Sequence, residues 1–359
     1  MKSIAKELKD QEWHSDFVSV YPSRFSKTIN HPQPKSWNNH DVKFLSISRT
    51  YPQLFILRLF QIAIGHVMMT LFILFNSRKY DVLYFYNPRL TDSLIGMRIA
   101  TLLGKKTVVD QTELFSLNKN SKVHEIEENW ISKHATVLLT ISDNIYNHFS
   151  AMRKEKIFLF PILVNLERFN IDREEEKHLL GYIGSFASKD GIQTLLEAIV
   201  ILRKEIPDIR LRLIGFHPNM TALKRMINEL GIREHVEVTG TVAYSEIPWL
   251  LCECDTLIMN RNDSKFAAFG YPIKLGEYFA CKRTVVMSNG NGFSEDFEDG
   301  NQVYKFEVSS AKSLAECVKQ RYRNPGEADA VATRGYEYAK DFFDSRKLGD
   351  YLVNILNTL

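Results

Sequence analysis

Cysteine is scarce: four residues in 359 (Cys252, Cys254, Cys281, Cys317) make no disulfide framework, and none sits in a C-x2-C pair that would suggest zinc. G-x-S-x-G, H-E-x-x-H and P-loop patterns are absent, as is any Asp-x-Asp. Asn289-Gly290-Asn291-Gly292 lacks the third glycine of a dinucleotide fingerprint and reads as a loop. His66, His124, His134 and His217 are scattered and form no ligand pair. Charge of one sign is missing too: 46 basic against 43 acidic side chains give +3, too little for a nucleic-acid binder. What is present is ordinary for a folded chain, 45% hydrophobic and 25% charged, and the length suits two domains.

The near-neutral total hides an asymmetry. Residues 1–170 hold 22 basic and 15 acidic side chains, a net of +7; the remainder holds 24 and 28, a net of −4. Two readings stand: surface drift between domains, or a first domain that faces something anionic. The opening MKSIAKELKD is a charged helical pattern without the apolar stretch of a secretion signal, so the expected location is cytoplasmic. Residues 59–77 contain no Asp, Glu, Lys or Arg. The favoured reading is a buried helix of an α/β domain, with an interfacial helix second.

After this segment, apolar runs closed by turn residues alternate with helical patterns. Strands are expected over 82–86, 106–109 and 135–141, and helices over 92–103 and 123–133 with another capped by Ser142-Asp143. The charged stretch IDREEEKH (171–178) is the expected domain boundary. Alternation then restarts, with strands at 180–183, 210–214, 236–238, 256–259 and 284–287. This grammar predicts two doubly wound, Rossmann-like domains with parallel sheets, facing a cleft: 1–170, then 171–333, with a C-terminal helix over 334–359.

The stretch YPIKLGEYFA (271–280) carries the most chemistry. Pro272 suits the first position of a helix, and Gly270 before it permits a tight turn. The exposed N–H groups, the helix dipole and the Lys274 ammonium would then make a phosphate socket. Glu277, on the next turn, could accept hydrogen bonds from a ribose diol. Strand ends in glycine at Gly184, Gly215 and Gly240 would let a phosphate or a flat base approach the backbone. Lys189-Asp190-Gly191 adds a second cationic helix start.

The ordered set GYIGSF…KDG…LLEA, LRLIG, VEVTGTV…EIPWLL…CDTLIMN and YPIKLGEYFA resembles the group 1 glycosyltransferases, a retaining family with the GT-B fold. YDVLYF, KKTVVDQTE, ATVLLTISDNI and PILVNLERF are similar to its acceptor-side domain. The resemblance implies transfer of a sugar from a nucleoside diphosphate sugar to an acceptor hydroxyl, with retention and without a metal or other cofactor. It implies that Glu277 binds the ribose, Lys189 the diphosphate, and backbone at Thr241 and Val242 the base. Phe269, Gly270 and Tyr271 would meet the diphosphate and sugar, with Gly184, Ser185, Gly215, Gly240, Asn260 and Lys274 around them. Asp110 and Glu113 are the catalytic candidates on the acceptor side. Phe269 stands where the family has a second acid, and Ser185 where it has an arginine. The family's first strand has no counterpart in this reading, and the resemblance implies that the helix over 334–359 crosses back onto the first domain. The expected partners are the donor and a carbohydrate or lipid-linked acceptor, and a peripheral position at the inner face of the plasma membrane stays open.

Overall fold

The structure, a computed structural model, describes residues 2–20, 36–37, 40–45, 52, 54–89, 92–116, 121–187, 190–217, 219–262, 270–290 and 292–359. The chain divides into two compact units, Met1–Phe160 with Gly349–Leu359, and Pro161–Leu348.

The first unit opens with α1 (Lys2–Asp10) and three short strands, β1 (Phe17–Ser19), β2 (Ser36–Trp37) and β3 (His40–Phe44), which form a small sheet in the order β1-β3-β2. The sequence reading placed no strand before residue 82, because these segments are short and mostly polar. α2 (Phe55–Asn76) follows. A second sheet then runs β4 (Val82–Tyr86), β5 (Lys106–Gln111), β6 (Val137–Thr140), β7 (Ile157–Leu159), all parallel. Val108, Val109, Val137, Leu138 and Leu139 are buried, as strands covered on both faces require. Between them lie α3 (Arg98–Leu102), α4 (Lys122–His134) and α5 (Asp143–Ser150), the last capped by the Ser142 hydroxyl accepting from the Ile145 N–H.

The second unit is a six-stranded parallel sheet in the order β10-β9-β8-β11-β12-β13. Its strands are β8 (Glu176–Gly184), β9 (Arg210–Gly215), β10 (Val236–Gly240), β11 (Cys254–Met259), β12 (Thr284–Asn289) and β13 (Tyr304–Glu307). Helices α6 (Ile192–Leu202), α7 (Met220–Glu229), α8 (Ile247–Cys252), α9 (Ile273–Ala280), α10 (Ala311–Arg323) and α11 (Pro325–Phe342) connect and follow them. Tyr182, Leu196, Ile199, Leu213 and Ile258 sit at the centre of its core.

Three differences from the sequence reading have physical causes. The charged residues Glu176–His178 extend β8, where Glu176 pairs with Arg210 and His178 with Asp208. The segment 334–359 is no single helix: Val164 forms a β-bridge with Asp344, breaking it between α11 and α12 (Ser345–Leu356). Most consequential, α2 is not a buried helix. Only Gln61, Gly65, His66, Met69 and Ile73 are buried, while Ile56, Phe60, Leu71 and Phe75 are among its exposed residues.

Candidate functional site

In the second unit, chain order reverses direction between β8 and β11: β9 and β10 build outward on one side, β12 and β13 on the other. Ligands of such sheets bind beyond the carboxyl ends of the strands at that reversal. Gly184 and Ser185 leave β8 there, and Asn260 and Arg261 leave β11.

The turn after β8 is wound around a buried carboxylate. Asp190 Oδ2 accepts from the Ala187 N–H (3.0 Å) and the Ser185 hydroxyl (3.4 Å), and Oδ1 lies 3.5 Å from Lys274 Nζ. Asn260 Nδ2 donates to the carbonyls of Asp190 (3.2 Å) and Gly191 (2.8 Å), pinning this turn to the end of β11. Gly191 has φ +56°, and a Cβ there would stand 2.5 Å from Asn260 Nδ2. Gly215 is still tighter: at φ +134° a Cβ would fall 1.9 Å from the Gly184 carbonyl oxygen. Only glycine lets these two strand ends close up.

Helix α9 brings its amino end to the same place. Pro272 is its cap, in extended conformation, one position earlier than the sequence reading put it. The first N–H groups of a helix have no partner within it and carry its positive end. Two side chains tie this helix to β8: the Ile183 N–H donates to the Tyr278 hydroxyl (2.9 Å), and Lys274 Nζ donates to the Tyr182 hydroxyl (2.6 Å) and the Ile183 carbonyl (3.2 Å). Lys274 therefore points inward onto Tyr182 and Asp190. Arg261 Nη1 reaches the Gly270 carbonyl (3.3 Å) just ahead of the helix, a second cation that the sequence reading missed. Its place directly after a strand at the reversal point was the available signal. Tyr271 turns its ring into an aromatic cluster with Phe293 and Phe343, so only its backbone remains for a ligand.

Glu277 sits one turn deeper. Burial pushes its carboxyl up to about 7, against a smaller opposing pull from Arg168, whose Nη1 is 4.0 Å from Oε1. Arg168 stacks on the Tyr244 ring (3.7 Å) and donates to the Tyr244 carbonyl (2.7 Å). Through that arginine, also unforeseen, Glu277 connects to the loop after β10 that carries Thr241 and Val242. Gly240, which closes β10 at φ +74°, has open space where a Cβ would go. The structure thus gathers Gly184, Ser185, Gly215, Asn260, Gly270, Lys274 and Glu277. Lys189 and Phe269 lie outside the described residues.

In the first unit, Asp110 is buried on β5. Burial lifts its carboxyl to about 6, opposed by the Tyr84 hydroxyl, which donates to Oδ2 at 2.7 Å. Asn87 Oδ1 accepts from the N–H groups of Thr112 (3.3 Å) and Glu113 (3.2 Å), fixing the turn that bears Glu113. Among the described residues, no three His, Cys, Asp or Glu side chains gather as a metal-holding group.

Two parallel-sheet units of this kind define the GT-B class of fold. HepE of Anabaena, solved in complex with UDP and glucose, superimposes with a TM-score of 0.77 at 15% identity, covering 100% of this chain and 95% of that one. Residues 164–338 match the family described as glycosyl transferases group 1. It is 26% identical over 210 residues to the GDP-mannose-dependent alpha-(1-6)-phosphatidylinositol monomannoside mannosyltransferase of Mycolicibacterium smegmatis, covering 55% of each chain. It is 22% identical over 189 residues to the alpha-D-kanosaminyltransferase of Streptomyces kanamyceticus, covering 53% of this chain and 47% of that one. The chain spans about half the length of these curated relatives.

Proposed function

We propose that this protein transfers a sugar from a nucleoside diphosphate sugar to an acceptor hydroxyl, with retention of configuration and without a metal, in the assembly of a surface polysaccharide or glycolipid. The observation that carries the reading is the convergence, at one strand reversal, of a glycine-closed turn, the amino end of α9 and the partly buried Glu277 carboxylate one turn deeper. The helix start would receive the diphosphate and Glu277 the ribose hydroxyls. Negative charge grows on the diphosphate as the glycosidic bond breaks, and fixed dipoles aimed at it are the largest electrostatic aid available. Arg261 and the Lys274–Asp190 pair hold the walls of that socket in place. On the acceptor side, Asp110, already close to neutral pH in its affinity for a proton, is the group suited to receive one. The proposed location is cytoplasmic.

A thermal-shift screen against nucleoside diphosphates tests the donor half. Ligand at about 100 times its dissociation constant adds roughly 2.7 kcal/mol of stability, and no shift with any nucleotide would refute the site. A second reading, a donor-binding subunit without activity, is favoured by Phe269 in place of the family's acid. Slow release of free sugar from a bound donor separates the two: a transferase hydrolyses it, an inert binder does not.

A further inference from the structure

We propose that α2 seats the first unit on an anionic phospholipid bilayer, lying in the interface with its outer face among the acyl chains. This goes beyond the donor reading and does not depend on it. The helix with its short extension, Phe55–Lys79, is long and apolar enough to cross a membrane by length and composition, yet only 28% of an 18-residue apolar window within it is buried. One face is committed to its own unit. A Cβ on Gly65 would stand 2.6 Å from the Val20 carbonyl oxygen, His66 Nε2 lies 3.2 Å from Asp92 Oδ1, and Met69 packs against Gly96. A helix held along one face cannot be surrounded by lipid, so it lies on a membrane and does not span it.

Exposure along the opposite side is continuous. Val67, Met68, Leu71, Leu74 and Phe75 are exposed and, at about 100° per residue, share a single stripe away from the buried one. In the first turns, Leu54, Phe55, Ile56, Leu57, Leu59 and Phe60 are all exposed, Ile56 at 76%, and at about 100° per residue they point all around the axis. A protein partner covers one side of a helix, whereas acyl chains wet an immersed end from every direction. Beside the helix an open groove of about 370 Å³, with Leu59, Ala63, Val67 and Ile95 in its walls, offers an apolar bed for one such chain.

Charge selects the bilayer's sign. Residues 55–76 contain no acidic side chain, and the exposed Arg78 and Lys79 follow directly. Residues 1–170 carry the net +7 already noted, matched to anionic headgroups.

The test is flotation of the full chain, without nucleotide, on vesicles of phosphatidylglycerol in phosphatidylcholine and on phosphatidylcholine alone. The wild type should float with the anionic vesicles and partition about tenfold less onto the neutral ones. The double variant Ile56→Glu/Phe60→Glu should melt at the wild-type temperature, both positions being exposed, and lose about tenfold or more in partition. Wild type remaining at the bottom with anionic vesicles overturns the proposal, as does a variant that floats equally well. So does a wild-type dimer that the double variant dissociates while vesicles do not, which would make a second copy the occupant.

Discussion

Replacing Glu277 by Gln should weaken donor binding and, at the same time, stabilise the free protein. The carboxyl titrates near 7 because burial disfavours its charge, against an ordinary value of 4.5. A ribose diol donates hydrogen bonds and therefore selects the carboxylate. At pH 8 about nine-tenths of the molecules present it and at pH 6 about one-tenth, so affinity should fall about tenfold between them. A sugar diphosphate diester has no ionisation of its own in that range, so a nucleotide sugar is the right titrant. For stability the sign is opposite. A folded-state value raised above the unfolded one means that the protonated form is favoured by folding; that contribution is complete below 4.5 and lost as pH rises through 7. The cost at pH 8 is about 3 kcal/mol at most, and the uncharged amide should recover about 1–3 kcal/mol, roughly 2–10 °C in Tm for a domain of this size. Calorimetric titration at pH 6 and 8, with melting curves of both proteins, gives both readouts. Equal wild-type affinity at the two pH values, or unaltered binding by the Gln variant, would refute the reasoning.

Lys274→Met leaves Asp190, 3% exposed, without its cation, and should cost about 3–5 kcal/mol in denaturant unfolding. Gly215→Ala should cost more than about 3 kcal/mol, since its Cβ would overlap the Gly184 carbonyl, whereas Gly240→Ala, facing open space, should cost about 1 kcal/mol for its backbone angle alone. Equal melting temperatures of these two variants would show that the strand ends are not closed as described. Tyr84→Phe removes a hydrogen bond that favours the charged form of Asp110, so the acidic limb of kcat/KM should move from about 6 to higher pH. An unmoved limb would remove Asp110 from the acceptor chemistry.

Buried parallel strands were readable from sequence because both faces must be apolar, as in Val137–Thr140 and Thr284–Asn289; Val82–Tyr86, at the end of its sheet, is only partly buried. Strand ends were not: Glu176–His178 looks like a linker until Arg210 and Asp208 are seen beside it. The socket was legible in outline, since a proline-capped helix start and glycine strand ends are local signals. Its wiring was not, because Lys274 meets Asp190, and Arg168 meets Glu277, across long stretches of chain. Residues 59–77 misled for a simple reason. A helix apolar all round has no periodicity to say which face the protein covers, and burial is the ordinary inference for it.

The most direct measurement is a crystal structure of the full chain with a bound nucleoside diphosphate. The account predicts the diphosphate against the N–H groups of Ile273 and Lys274, with both ribose hydroxyls in hydrogen-bonding reach of the Glu277 carboxylate. A nucleotide seated elsewhere, with the amino end of α9 left to solvent, would contradict it.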